Sequence, residues 1–175
     1  MNTKKMFGIY SIFTFILLTS CTNPFAPKIS LSPENNINIS DQTTVKGVFD
    51  NFRYAYMLRD TIVYGNLLAD DFTFTYHDYE LGMMKSWGRD EDMISTSGLF
   101  QASQSLDLLW NEVGVYVSTS DSLITDISRG FTLTIVFSAT DVVKIQGRAN
   151  LRLKRILING IMIWKISMWK DESNY

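Results

Sequence analysis

Apolar residues recur at helical spacing in separate stretches between Thr43 and Phe100, and they recur at every second position from Phe72 to His77 and again after Ser105. A first helix is predicted from about Thr43 to Arg59, because one face collects Val45, Val48, Phe49, Phe52 and Tyr56. Asp60 can accept from the free amides that begin a second, shorter helix. A third helix is predicted from Trp87 to Phe100. Its cap would be Ser86, and its first turn would hold the solvated acidic residues Asp90, Glu91 and Asp92.

Alternation with period two predicts the strands. Phe72 to His77 has aromatic rings on one face and the threonines with His77 on the other. The preceding Asp70 and Asp71 are predicted to form a turn. The strand from Ser105 changes parity at Asn111-Glu112, which predicts a bulge. Later strands are marked by three apolar sets, and Asn159-Gly160 predicts the hairpin between the last two; the sets are Phe131–Phe137, Val143–Leu153 and Met162–Met168.

The order of helices followed by long antiparallel strands predicts an α+β fold. N-terminal helices would pack in the concave face of a curved, mostly antiparallel sheet. The domain is expected to occupy residues 42–175, because no internal repeat or second linker interrupts that stretch.

The first 21 residues have the character of a secretory signal. Lys4 and Lys5 precede an apolar run, which ends in Leu18-Thr19-Ser20-Cys21. This ending resembles the lipobox of bacterial lipoproteins, in which the cysteine is lipidated and becomes the new N-terminus. Residues 1–20 are therefore predicted to be a signal peptide and Cys21 the lipid attachment site. An uncleaved anchor is disfavoured because it would need about 20 predominantly apolar residues.

Residues 21–41 are predicted to be the lipidated cysteine and a flexible tether. This stretch holds all three prolines and the polar run Pro33-Glu34-Asn35-Asn36, so little apolar surface is available to offset the cost of ordering it. The lipid anchor would place the protein at the bacterial cell envelope. In some bacteria an aspartate directly after the lipidated cysteine favours retention in the inner membrane. This chain has Thr22 at that position, so the outer membrane is the favoured location if the cell has one.

Charge and rare residues exclude several classes of function. The chain has 16 basic and 18 acidic residues; loss of Lys4 and Lys5 with the signal leaves 14 against 18, a net charge of −4. Such a balance disfavours a nucleic-acid partner, which selects for concentrated positive charge. With Cys21 lipidated and His77 the single histidine, disulfides, thiol catalysis and histidine-rich metal sites are not expected. No cofactor is predicted.

The predicted layout resembles the nuclear transport factor 2-like family, whose cone-shaped domain wraps a bent sheet around an N-terminal helix. The resemblance spans about Thr43 to Glu172 and lies in the order and spacing of three passages. The first passage runs from Ala55-Tyr56 through Arg59-Asp60 and Tyr64 to Phe72-Thr73-Phe74, and it resembles the family's first helices and the strand that follows them. The second, Trp87-Gly88-Arg89-Asp90-Glu91, is similar to the start of the third helix. The third, Trp164-Lys165-Ile166 with Trp169-Lys170-Asp171, resembles the closing strand.

The resemblance implies a fold and leaves the activity open, because the family includes isomerase-, dehydratase- and cyclase-like enzymes as well as binding and dimerisation modules. No catalytic motif of those enzymes transfers residue by residue onto this chain. His77 could serve as a base near neutrality, but Asp78 would point to the opposite sheet face and could not orient it. No catalytic or metal-binding residue is therefore assigned.

Two sets of side chains could carry a binding function. Aromatic residues on the inward parity could line a pocket in the cone or simply fill the core; those predicted to line it are Tyr56, Phe74, Tyr76, Trp87 and Trp110. A basic stripe of Lys144, Arg148, Arg152 and Lys154 could meet an anionic lipid or glycan, although a solvated face with edge-protecting charge is the simpler interpretation.

The sequence thus predicts an envelope-anchored lipoprotein with a non-catalytic binding or scaffolding domain. Its partners would be the membrane, through the lipid anchor, and either a small apolar ligand in the cone or a protein on the open sheet. The alternatives are an isomerase-, dehydratase- or cyclase-type enzyme that uses the cone cavity, and a structural homodimer that pairs through the outer sheet face. The homodimer predicts exposed apolar residues on that face.

Overall fold

Three helices and one six-stranded sheet make up the described part of the chain. The computed structural model describes residues 39–118 and 123–172, which all fall within one compact unit, Ile37–Tyr175. The predicted signal peptide, Cys21 and nearly all of the predicted tether lie outside the described residues. Among the described residues, no helix combines the length and apolar character needed to cross a membrane.

The two N-terminal helices begin and end where capping chemistry predicts. Helix α1 spans Val45–Leu58, and the Thr44 side chain caps it by accepting from the Gly47 amide. It ends at Arg59, whose positive φ of 56° closes the helix in the left-handed conformation. Helix α2 spans Thr61–Leu67, and Asp60 accepts from the amides of Ile62 and Val63, as predicted.

The sheet has the strand order β2-β1-β6-β5-β4-β3. All neighbouring strands are antiparallel except β1 and β6, which run parallel. The strands are β1 Leu68–Asp78, β2 Met83–Gly88, β3 Ser105–Ser118, β4 Ile124–Ser138, β5 Asp141–Ile158 and β6 Ile161–Asp171. The register of β3 against β4 shifts after Trp110, which confirms the predicted bulge. The last hairpin turns at Asn159 and Gly160, both with positive φ, as predicted.

Three local predictions were wrong. Helix α3 spans Arg89–Ala102 and follows Gly88, with no side-chain cap, because Ser86 and Trp87 belong to strand β2, which was not predicted. Asp70 and Asp71 lie within β1, where the pairing with β6 is irregular, and not in a turn. The basic stripe does not protect an edge, because β5 is an internal strand between β4 and β6.

The core lies between the helices and the concave face of the sheet, which confirms the predicted α+β architecture. Its buried members all fall between Val48 and Ile166. Helix α1 supplies Val48, Phe49, Phe52, Ala55 and Tyr56, while every strand except β2 contributes buried side chains. A chain that begins at residue 37 keeps all of these residues, so we expect it to fold by itself.

A pair of glycine substitutions tests how the chain enters helix α1. A Cβ atom on Gly47 would lie 1.9 Å from the Asp41 carbonyl oxygen, whereas a Cβ on Gly98 in helix α3 would have no neighbour within 4 Å. We expect Gly47→Ala to destabilise the fold by about 1–3 kcal/mol, because the chain must move to relieve the overlap. We expect Gly98→Ala to stabilise it by roughly 0.5–1 kcal/mol, as alanine does in a helix. Urea unfolding measures both, and equal effects would contradict the close approach of Asp41.

Candidate functional site

A cavity of about 200 Å³ lies inside the cone, between helix α3 and the concave face of the sheet. Most of its wall is aliphatic or aromatic, and few of the lining side chains have oxygen atoms; these are Tyr56, Tyr64, Asp92, Ser95, Thr96 and Asp171. Ser95 is exposed, so the cavity reaches the protein surface beside helix α3. A concave apolar space with a small number of polar groups has the character of a small-molecule site.

Aromatic contacts fix the shape of the wall. Phe52 on helix α1 stacks on Tyr56 at 5.2 Å and meets Trp110 and Trp169 edge-on, both at 5.4 Å between ring centroids. On the opposite side Phe74 stacks on Trp87 at 4.6 Å. These rings come from different helices and strands, and each is held by its neighbours. The wall is therefore formed before any ligand arrives.

Asp92 is the central polar residue of the site. It lies in the first turn of helix α3 and is 4% exposed. The Tyr64 hydroxyl donates to its Oδ2 at 2.7 Å, and the Trp87 indole Nε1 donates to its Oδ1 at 3.0 Å. Helix α2, strand β2 and helix α3 therefore meet at one carboxyl group. Both partners are donors, so the carboxylate is held by hydrogen bonds that point at it.

Burial governs the protonation of this group. Desolvation raises the pKa of Asp92, although the hydrogen bonds from Trp87 and Tyr64 act in the opposite direction. Desolvation also raises the pKa of Tyr64 well above 10, with added repulsion from Tyr56 and Asp92. Tyr64 is therefore a neutral donor, while Asp92 is a carboxyl whose charged form is disfavoured by its surroundings.

The structure brings four of the five predicted lining residues together. Tyr56, Phe74, Trp87 and Trp110 lie in the cavity wall. Tyr76 is not among the residues that line the cavity; it packs behind the wall, 5.1 Å from Trp87 between ring centroids. Whether these rings bind a ligand stays a prediction. His77 does not line the cavity either, and its ring lies 4.6 Å from that of Tyr79.

Asp92 was missed, and the expectation that it is solvated was wrong. The buried residues of helix α3 are Asp92, Thr96 and Phe100, spaced four apart. This spacing was visible in the sequence, and it places Asp92 on the same helix face as Phe100. The acidic run of residues 90–92 concealed it, because acidic residues also suit the solvated first turn of a helix. Within the described residues, no group of three or more histidine, cysteine, aspartate or glutamate side chains is placed to hold a metal ion.

Neither a protein-family model nor a curated protein matches the chain. Solved structures do. A conserved protein from Planctomyces limnophilus superposes with a TM-score of 0.63 at 14% identity, over 74% of this chain and 93% of the other. A candidate scytalone dehydratase from Novosphingobium aromaticivorans gives 0.62 at 10% identity, over 75% and 82%.

A third solved structure has the family's name. An NTF2-like (nuclear transport factor 2-like) protein of unknown function in nutrient uptake, from Rhodospirillum rubrum, gives a TM-score of 0.58 at 16% identity, over 75% of this chain and 99% of the other. The chain has the NTF2-like fold. The resemblance inferred from three sequence passages is thus confirmed for the fold. Dehydratase-type proteins and proteins of unknown function share the NTF2-like fold, so it leaves the activity open.

The pH dependence of stability tests the environment of Asp92. An acid whose pKa is raised by folding stabilises the native state below its unfolded pKa, near 3.8, and loses that contribution as the pH rises. Asp92→Asn removes this titration. We therefore expect the free energy of unfolding of Asp92→Asn, relative to the unchanged protein, to increase between pH 4 and pH 8. Denaturant unfolding across this range measures the difference.

The exposed Asp90 provides the matched control, since it lies on the same turn of helix α3. We expect the unfolding free energy of Asp90→Asn to follow the unchanged protein through the same pH range. A flat difference for Asp92→Asn would mean that its carboxyl is not desolvated in solution.

Proposed function

We propose that the chain binds a small apolar ring compound bearing a hydrogen-bond donor in the cone cavity, while a lipid on Cys21 holds it at the bacterial cell envelope. The observation that supports the binding function is the placement of Asp92, a buried carboxyl group in an otherwise mainly apolar, aromatic wall. The NTF2-like fold supports the proposal only by providing a cone.

The cavity volume limits the ligand. A dry engineered cavity of about 150 Å³ accepts benzene, and this cavity measures about 200 Å³. A ligand of one or two rings fits this space, whereas a steroid-sized molecule would need the wall to move. Rings would contact Phe52, Phe74 and Trp110 through the edge and face geometries that aromatic groups favour.

The chemistry of Asp92 defines the polar end of the ligand. Each carboxylate oxygen already accepts one hydrogen bond, and a carboxylate offers about four acceptor sites. A hydroxyl or amine on the ligand could therefore add a bond without displacing Tyr64 or Trp87. A carboxylate or phosphate ligand is disfavoured, because it would bring a second negative charge to a buried one.

A ligand panel tests this specificity. We expect phenol and indole to bind more tightly than toluene, since only the first two can donate to Asp92. Isothermal titration calorimetry measures the binding, because phenol and indole absorb and emit in the same range as the three tryptophans of the cavity wall, Trp87, Trp110 and Trp169. Asp92→Asn should lower the preference for phenol over toluene by about tenfold, the effect of one charge-assisted hydrogen bond. Benzoate should bind worst.

Two phenylalanine substitutions on strand β5 separate the cavity from the surface. Ile145 lines the cavity, whereas the neighbouring Gln146 is exposed, so their side chains point to opposite faces. We expect Ile145→Phe to fill the cavity and abolish binding of the panel, and Gln146→Phe to leave binding unchanged. Equal binding by the two variants would show that the compounds do not occupy the cavity.

A second candidate function is acid–base catalysis on such a ligand. Asp92 has a raised pKa and a neutral tyrosine partner within a cavity, which is an arrangement that supports proton transfer. Proton magnetic resonance of a bound ligand in deuterium oxide separates the two functions. An isomerase- or dehydratase-type enzyme would exchange a carbon-bound hydrogen of the ligand at a rate that Asp92→Asn lowers, whereas a binding protein would not.

The anchor is tested by substitution of the single cysteine. We expect the unchanged chain, expressed in a bacterium, to incorporate radiolabelled palmitate and to partition with the membranes. Cys21→Ser should incorporate none, because serine offers no thiol for the lipid, and its signal should remain uncleaved by the lipoprotein peptidase. Label in Cys21→Ser would overturn the assignment. Ser20→Ala, which keeps a small residue before the cysteine, is the control that should be lipidated.

Homodimerisation stays an alternative. Exposed apolar residues do lie on the convex face, among them Val115, Val117 and Met168. Their cross-strand neighbours on that face are Asp126, Ser128 and Arg152, which make the patch mixed. Sedimentation at micromolar concentrations distinguishes a dimer from a monomer.

A further inference from the structure

The β5–β6 hairpin ends in an apolar tip, residues 156–163. Its six apolar side chains surround the Asn159-Gly160 turn; they are Ile156, Leu157, Ile158, Ile161, Met162 and Ile163. Four of them are exposed, Leu157 to 64% and Ile161 to 56%. A monomeric domain seldom exposes this much contiguous apolar surface without a partner.

The tip presents apolar side chains on both faces of the hairpin. Leu157 pairs with Met162, while Ile158 pairs with Ile161 on the next rung, and successive rungs of a ladder point to opposite faces. A second protein packed flat on the sheet would cover one face and leave the other in water. A medium that surrounds the hairpin would cover both.

Positive charge lies directly behind the apolar tip. From residue 152 to residue 170 the chain has five basic and no acidic residues, namely Arg152, Lys154, Arg155, Lys165 and Lys170. Three of these form ion pairs with Asp126, Asp71 and Glu172. Arg155, the basic residue nearest the tip, and Lys165 on the next rung form no ion pair within the described part of the chain. Arg155 lies 4.9 Å from the centroid of the Trp164 ring, and Lys165 donates to the Asn66 carbonyl. Neither contact neutralises the positive charge, which an anionic surface would do.

The N-terminal part of the chain joins the domain beside the apolar tip. The Trp164 amide donates to the Gln42 carbonyl at 2.7 Å, and Gln42 Nε2 donates to the Trp164 carbonyl at 3.0 Å. Trp164 is the residue after Ile163, so the segment that leads back to Cys21 reaches the domain at the tip end of the sheet. A lipid anchor and the apolar tip would thus meet the domain at the same end.

The cavity lies away from this end. Along β4 and β5 its wall uses Phe131, Leu133, Ile135 and Ile145, whereas the tip end is marked by the pairing of Ile124 with Lys154. A contact at the apolar tip would therefore leave the cavity open to solvent.

We infer that the apolar tip inserts into the headgroup region of an anionic lipid bilayer, with Arg155 and Lys165 against the lipid phosphates. Apolar side chains buried at the boundary between headgroups and acyl chains, combined with basic residues that meet anionic lipid, are the two contributions that hold peripheral proteins at membranes. In the intact protein this contact would orient the domain that the proposed lipid on Cys21 tethers.

The contact does not need to be strong. A segment of about 20 residues between the proposed lipid on Cys21 and the domain would keep the domain at an effective concentration in the millimolar range next to its membrane. An apolar tip with a weak affinity for lipid would therefore be bound for most of the time. The lipid anchor keeps the protein at the membrane, and the apolar tip decides which side of the domain faces it.

Vesicle binding by a chain of residues 37–175 tests the inference. This chain lacks Cys21, so a failure of lipidation cannot affect the result, and ligand binding in the cavity is measured separately. We expect it to co-sediment with vesicles of phosphatidylglycerol and phosphatidylethanolamine, and far less with phosphatidylcholine alone. Ile161→Glu should lower the partition coefficient by about tenfold or more, because it removes one buried apolar side chain and adds a repelled charge.

Val142→Glu is the matched control. Val142 is also exposed to 56% and lies near the start of β5, at the opposite end of the sheet. It should bind vesicles as the unchanged chain does, and thermal unfolding should show that both variants fold. Arg155→Gln with Lys165→Gln should reduce binding to phosphatidylglycerol and leave binding to phosphatidylcholine unchanged.

Depth measurement provides a test that does not depend on a destabilising charge. Residues 37–175 have no cysteine, so Ile161→Cys can take a single environment-sensitive fluorophore. We expect a blue shift with anionic vesicles, and quenching by a spin label placed at the headgroup boundary. A fluorophore on Ala139→Cys, at the exposed turn between β4 and β5, should show neither.

Two results would overturn the inference. The first is equal vesicle binding by Ile161→Glu and the unchanged chain, or no binding by either. The second is a dimer in sedimentation that Ile161→Glu dissociates, with no blue shift on vesicles, because the apolar tip would then be an interface between two copies of the chain.

Discussion

Phe52 lies at the centre of the domain, where its ring contacts those of Tyr56, Tyr64, Trp110 and Trp169 at centroid distances of 5.2–5.5 Å. These contacts join helix α1 to helix α2 and to strands β3 and β6, which lie far apart in the sheet. They pack helix α1 against the concave face of the sheet. Three of the four pairs meet edge-on, one of the arrangements that aromatic pairs favour.

The polar centre of the site depends on the same frame. Tyr64 contacts Phe52 with its ring and Asp92 with its hydroxyl, so the aromatic cluster and the buried carboxyl are connected through one side chain. Burying a carboxyl without partners would cost several kcal/mol. Two donors offset part of that cost, and burial raises the pKa for the rest. The site therefore combines an aromatic wall with the buried carboxyl group of Asp92, and Asp171 adds a second carboxyl to the lining.

The sequence predicted the elements whose signals are local. Thr44 and Asp60 cap the first two helices, the parity change after Trp110 marks the bulge, and Asn159-Gly160 makes the turn. It did not predict strand β2, because Met83 to Gly88 is mostly exposed and has no buried alternate face to mark it. The pairing of strands separated by nearly the whole domain also has no local signal.

The candidate site was predicted only in its apolar part. Strand alternation identified Phe74 and Trp110, and the apolar face of the first helix identified Tyr56. Trp87 was predicted at the start of the third helix, whereas it lies near the end of strand β2. Asp92 was not identified, since its burial depends on how helix α3 docks and its acidic neighbours suit a solvated turn equally well. The signal for Asp92 was its place on the helix face, four residues before Thr96 and eight before Phe100. Its chemical type alone did not distinguish it from Asp90 and Glu91.

The position of β6 in the sheet has a consequence for how the protein is made. Strand β6, the last of the described strands, lies between β1 and β5, so β1 cannot pair with it until residues near 166–170 have been synthesised. Pairings over such sequence separations form slowly, because the loop must close before any contact compensates for it. A nascent chain that stops before β6 lacks the strand that joins β1 to β5, so its sheet is incomplete, and secretion channels pass proteins in an unfolded state. For a protein exported as proposed, the strand order would itself delay folding until the chain has left the cell interior.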